Sequence, residues 1–213
     1  MTSYARFATL VAAFSFVNAS ANAAAITVEF SGTVTTIISD DSGNFFTSAF
    51  AVGNSVSGSW TFDSGAVPLF TTPNFAAYPA SFKATVNGLA FSGPSQYRIF
   101  NDDPGGNDGF SMINETGTYT APVIGPLTAS TFFVQFLGMP VGTLADTSLV
   151  LDPAALFPLA TNYAPHGLRL DHPDGTFGGL YFSVDSLKIV PEPATWALAA
   201  AALAGLAAMR RRA

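Results

Sequence analysis

Residues 26–35 read ITVEFSGTVT and residues 55–62 read SVSGSWTF. In the first, Ile26, Val28, Phe30, Gly32 and Val34 alternate with Thr27, Glu29, Ser31, Thr33 and Thr35. In the second, Val56, Gly58, Trp60 and Phe62 alternate with Ser55, Ser57, Ser59 and Thr61. A two-residue period sends one set of side chains to one face of a strand and the other set to the opposite face. Apolar groups on one side and hydroxyls on the other describe a half-buried strand of an antiparallel sheet. Residues 81–86, SFKATV, repeat the pattern with Phe82, Ala84 and Val86. Near the far end Leu180, Phe182 and Val184 lie on one phase and Leu187 and Ile189 on the other. A one-residue bulge at Asp185–Ser186 is expected there, because a single extra residue restores the phase.

Turn chemistry separates these runs. The stretches DDSGN (40–44), NDDPGGNDG (101–109) and DHPDG (171–175) supply residues that tolerate positive φ or preset a turn. Asn87-Gly88 predicts a type I′ hairpin joining 82–86 to 89–91. No segment between the two ends shows a sustained 3.6-residue apolar stripe, and no 20–50-residue repeat occurs, which disfavours a propeller or solenoid. The expectation is an all-β body over residues 24–189, an antiparallel β-sandwich of jelly-roll-like connectivity.

Composition narrows the chemistry. The 213 residues include 20 phenylalanines, enough for a core without cross-links, and no cysteine, which excludes disulfides, thiolate nucleophiles and Cys-ligated zinc. Between Ala24 and Val190 the basic residues are Lys83, Arg98, Arg169 and Lys188, four against 13 acids, a difference of −9. So acidic a body lacks the basic stripe that a phosphate backbone requires, so no nucleic-acid partner is expected.

Both ends differ in character from the body. Residues 1–23 open with Arg6, continue through the apolar 7–17 and reach small residues at Ala19-Ser20-Ala21 and Ala21-Asn22-Ala23, the layout of a secretory signal peptide cut after Ala23 by signal peptidase. Residues 190–213 begin with Val190-Pro191-Glu192-Pro193, whose prolines cannot lie inside a helix or central strand. Residues 194–209 are uncharged and give a helix of about 24 Å, a short transmembrane span beside a hydrocarbon core of about 30 Å. Arg210, Arg211 and Arg212 follow at once, and clustered arginine favours the cytoplasmic side. Both ends therefore predict the same topology, with the body exported and the arginines inside.

Pro-Glu-Pro at 191–193, Thr195 and Trp196, the short apolar run with Gly205, and the terminal Arg210–Arg212 together resemble the PEP-CTERM sorting signal of Gram-negative bacteria. The resemblance implies that the tail is held in the inner membrane and processed by a membrane protease-transpeptidase, exosortase. The mature chain is then expected to begin near Ala24, to lack Arg210–Arg212, and to reside in the envelope or outside the cell. It also implies a host that makes exopolysaccharide. The stretches FSGTVTTI, GSWTFDS and NDDPGGNDGF are similar to a β-rich body found in many proteins with this tail.

Within the body, the densest polar group is Asn101, Asp102, Asp103, Asn107 and Asp108 among Gly105, Gly106 and Gly109. Hard oxygen donors on a glycine-rich loop make it a candidate Ca²⁺ site, although the spacing is not that of an EF-hand; the other reading is a loop whose Asn and Asp side chains cap their own backbone. His166 and His172 are the only imidazoles, and Asp171 and Asp174 flank His172. Trp60, Tyr78, Tyr97, Tyr119 and Tyr163 are available to stack on sugars. No G-x-S-x-G or H-E-x-x-H motif occurs; Glu29 and Asp63 lie on or beside strands, with nothing to distinguish them from solvated sheet residues. Three readings stand: a non-catalytic envelope or matrix protein associated with exopolysaccharide, which is favoured, a carbohydrate-binding module, and a polysaccharide hydrolase working with two facing carboxyls.

Overall fold

The computed structural model describes residues 24–41, 43–103, 107–115, 117–160 and 166–190. They form ten strands: β1 (Ala25–Ser39), β2 (Ser55–Asp63), β3 (Phe70–Thr72), β4 (Phe75–Val86), β5 (Leu89–Asp103), β6 (Asn107–Asn114), β7 (Thr128–Met139), β8 (His166–Asp171), β9 (Phe177–Phe182) and β10 (Ser186–Val190). Two short helices, α1 (Phe45–Ala49) and α2 (Pro153–Leu156), are the helical elements, with a 3₁₀ turn at Phe157–Leu159.

The body is all-β and antiparallel throughout. The strand order β1-β2-β4-β5-β6-β7-β8-β9 is a meander, with β3 a short addition to β4, and β9 returns to pair with β1. Eight strands thus close into a flattened barrel. Its opposed inner walls touch directly, as in a sandwich: Phe82 of β4 stacks on Phe132 of β7 with ring centroids 4.9 Å apart. The connectivity departs from the jelly roll expected from the sequence. Short turns at 87–88 and 172–176 join neighbouring strands directly, and the longer connections from β1 to β2, β6 to β7 and β7 to β8 also return to the adjacent strand. At the Asn87-Gly88 turn both residues have positive φ, 50° and 79°, as a type I′ hairpin requires.

The strand phases agree with the sequence pattern. Val28, Phe30 and Val34 point inward with Val56, Trp60, Phe62, Phe82, Ala84 and Val86, all buried. Each buried phenylalanine removes a large apolar surface from water, a gain of roughly 2–3 kcal/mol.

One edge of β1 carries β2 along residues 25–33; the other carries β10 along 27–31 and β9 along 34–39. So β9 and β10 are one long partner of β1, interrupted by a kink. Phe182 pairs with Val34 and Ser186 with Ser31, so four residue steps face three. The extra residue falls within 183–185, just before the expected position, and rejoins the two phases. Ser183 N–H donates to Thr33 O at 2.9 Å and Asp185 N–H to Ser31 O at 2.7 Å, keeping the seam sealed.

The two ends are closed differently. Above, α1 lays the buried Phe46 against Phe50 (4.7 Å between centroids). Asp41, itself buried, holds that turn, accepting hydrogen bonds from the Ser39 hydroxyl and from the N–H groups of Phe45 and Phe46. Burial pushes its carboxyl up, but these hydrogen bonds outweigh it and hold the group below the usual aspartate value. Below, the connection from β7 to β8 crosses the barrel mouth. Tyr78 and Tyr97 donate their hydroxyls to Thr147 O (2.9 Å) and Val150 O (3.2 Å).

Gly32 faces the kink, where a Cβ would come within 1.7 Å of the Ser183 carbonyl oxygen. Main chain cannot move aside there without parting the seam. Gly32→Ala is therefore expected to lower the unfolding free energy by about 3 kcal/mol, whereas Ser31→Ala next to it, on the exposed face, should cost under about 1 kcal/mol. Urea denaturation of the two variants checks this.

Candidate functional site on the outer sheet face and the terminal end

The hydroxyl phase of the strands, read from the sequence strand by strand, is aligned by the sheet into two rungs. One runs Lys188–Glu29–Ser59–Lys83–Ser92 and the next Ser186–Ser31–Ser57–Thr85–Ala90, each group directly opposite the next across five strands. Neighbours in a rung are about 4.8 Å apart. Because these side chains are mostly small, they leave a groove of about 610 Å³ on the outside of the barrel. Lys188 pairs with Glu29 at 2.9 Å, and the Ser31 and Ser186 hydroxyls are 2.7 Å apart. Arg98 and Arg169 are engaged elsewhere, with Glu115 and Asp171, both at 2.7 Å. Lys83 has no ion-pair partner among the described residues. The groove thus offers hydroxyls that donate and accept, and two ammonium groups against one carboxylate. Sequence reasoning held the outward residues of β1, β2 and β4 but not their alignment with β5 and β10, which depends on register.

The loop singled out for calcium divides. Asp108 is fully buried, and its carboxylate accepts the N–H of Asp102 at 2.9 Å and of Leu144 at 2.8 Å, pinning the β7–β8 connection to the β5–β6 turn. Asp102 is exposed with φ 48°, and Asn74 donates to Asn101 O and Asp102 O at 3.0 and 2.7 Å. The side chains of Asp103 and Asn107 lie outside the described residues. Among those described, no three His, Asp or Glu side chains gather as metal ligands would.

The histidines separate as well. His172 pairs with Asp174 at 2.6 Å beside the Phe45 ring, within the turn that its DHPDG sequence predicts, while Asp171 bonds Arg169 instead. His166 is buried between Phe136 and Phe182, and its Nδ1 accepts the Gln135 N–H at 3.0 Å. Asp63 accepts the Gly65 N–H in a turn.

Of the aromatics considered for stacking on sugars, Trp60, Tyr78 and Tyr97 are in the core because strand phase turns them inward, and Tyr119, on the β6–β7 connection, is buried against Phe82 and Phe91; Tyr163 lies outside the described residues. They present no ring to a ligand.

The two chain ends of the body leave together. Val190 pairs with Thr27, and Ala24 exchanges hydrogen bonds with Ser64, N–H to Oγ and O to N–H, both at 2.8 Å. Residues 1–23, Pro191, Glu192, Pro193, the run 194–209 and Arg210, Arg211 and Arg212 lie outside the described residues. Among those described, no helix is long and apolar enough to cross a membrane.

A closed antiparallel β-barrel whose last strand ends at Val190 is the class of molecule these features define. Residues 190–212 match the PEP-CTERM protein-sorting motif, which makes the chain an exported protein sorted by exosortase. No curated protein and no solved structure matches the chain.

Two outcomes follow from the buried polar groups. Asp108→Ala leaves the Asp102 and Leu144 amides without their acceptor and should destabilise the fold by about 2–3 kcal/mol, read from thermal melting. Burial lowers the His166 pKa to about 4, whereas an unfolded chain takes up the proton near 6.5. Stability is then fully present above pH 6.5 and falls as the pH drops toward 4, by on the order of 3 kcal/mol. His166→Phe should flatten that segment of a urea-midpoint profile.

Proposed function

We propose that the barrel is non-catalytic cargo of the sorting tail, an envelope or matrix protein that associates with acidic exopolysaccharide through its outer groove. In this reading the tail holds the exported body at the inner membrane until it is processed, after which the body stays in the envelope or leaves the cell. The observation that carries the association is the double rung of hydroxyls bearing Lys83 and Lys188, half of the body's basic residues, on a molecule whose formal body charge is −9. Such a body is repelled by a polyanion at long range. It needs a local attractive surface, and at a screening length of about 8 Å the two lysines over one glutamate supply it. Hydroxyls at strand spacing then meet the ring hydroxyls and carboxylates of a glycan strand.

The test is equilibrium binding of the exported protein to immobilised polyuronate and to a neutral glucan, at low and at physiological salt. Polyuronate binding should weaken with salt and fall about tenfold in Lys83→Ala/Lys188→Ala, a loss of about 1.4 kcal/mol. Equal binding by the variant removes the groove from the reading.

A further inference from the structure

Strands alternate in direction around the barrel, so every connection lies at one of two ends. One end holds the start of β1, the end of β10, the connections β2–β3 and β7–β8, and the turn β5–β6. Of the exposed large apolar side chains, Val67, Leu69, Val141, Leu151 and Leu159 lie on these connections and Phe70 opens β3 beside them, 42% to 78% exposed. Ile38, Val52 and Val123 are at the opposite end, on three separate elements. The apolar group at the terminal end is continuous with an aromatic row on the adjoining sheet face. Phe70 meets Phe75 at 5.9 Å and Phe75 meets Phe100 at 5.2 Å, with the Arg98 guanidinium 6.0 Å over Phe75. Apolar tips backed by aromatics and an arginine are what a water–lipid boundary accommodates.

We infer that this end of the barrel seats on an electrically neutral lipid surface, inserting Leu69, Phe70 and Val141 while the tail is in the bilayer. The inference rests on the anchoring proposed above. Three residues, 191–193, separate Val190 from the apolar run 194–209, a reach of at most about 14 Å over four residue steps. A barrel so tethered holds its terminal end at the interface at high effective concentration, and weak apolar contacts then suffice. The exposed carboxylates of Asp63, Asp102, Asp146 and Asp152 share this end, which sets it against polyanions and anionic headgroups alike.

The chain has no cysteine, so single labels can be placed on the full-length protein without background. Val141→Cys, at the terminal end, and Val123→Cys, at the far end, carry an environment-sensitive fluorophore in phosphatidylcholine vesicles containing a doxyl-labelled lipid quencher. Trp60 is buried at the centre of the barrel, so lipid quenching of tryptophan reports Trp196 in the tail. Quenching at position 141 is expected to exceed that at position 123 at least threefold. In V67S/L69S/F70S it should fall to the level of position 123 while Trp196 stays quenched. Equal quenching at the two positions with Trp196 quenched overturns the inference and leaves anchoring intact, as does a triple-serine variant that behaves like wild type. Unquenched Trp196 overturns the anchoring, and this inference with it.

Discussion

The fold depends on β1 having a partner on both edges. Without β9 and β10 the meander is an open sheet with two long unpaired edges, each a template for another chain. Hydrogen bonds from Ser183 and Asp185 carry the pairing across the kink, and Gly32 leaves room for the main chain to pass. The kink itself is forced by side chains. Leu180, Phe182 and Val184 must face the core beside β8, whereas Leu187 and Ile189 pack against it below, and one added residue reconciles the two requirements. Closure is thus a matter of main-chain hydrogen bonds secured by a phase change in the apolar pattern.

Once closed, the ring is filled by its own aromatics. Tyr97 lies within contact range of Trp60, Phe62 and Phe110, and its hydroxyl is satisfied by the segment that crosses the mouth. A filled interior moves recognition to the outside. What the outer face offers on β1, β2 and β4 is set by the same alternation that builds the core, since Val28, Phe30, Val56, Trp60, Phe82 and Ala84 point inward while Glu29, Ser31, Ser57, Ser59, Lys83 and Thr85 point outward. The groove and the core are two readings of one period.

Much of this was legible in the chain. ITVEFSGTVT and SVSGSWTF gave their inward residues without error, Asn87-Gly88 its turn, and the phase break near 185 its bulge. What could not be read were relations between distant strands. Register decided that Lys188, Glu29, Ser59 and Lys83 share a rung, closure decided that Tyr97 faces the core, and the path of the β6–β7 connection decided that Tyr119 packs on Phe82 and Phe91. Asp108 looked like its neighbours in NDDPGGNDG, yet it is buried and bonded to the amide of Leu144, 36 residues on. The sorting segment was readable because its signal is local: proline geometry, apolar length and terminal charge need no tertiary partner.

The seam has a consequence in time. Thr33 and Ser183 are 150 residues apart, so the first strand of the body is completed by the last two. A chain translocated from its N-terminus exposes β1 early and has to leave one of its edges bare until nearly the whole body has crossed. Pairing of such high sequence separation is slow, because the ends of a long segment have to meet before any contact rewards them. The strand that closes the ring, β9, is followed at once by β10, which covers the rest of that edge of β1 and ends at Val190, where the matched sorting segment begins. The barrel therefore reaches its finished form only as that segment arrives, and a chain cut short of β9 is left with the open sheet edge that the native ring conceals.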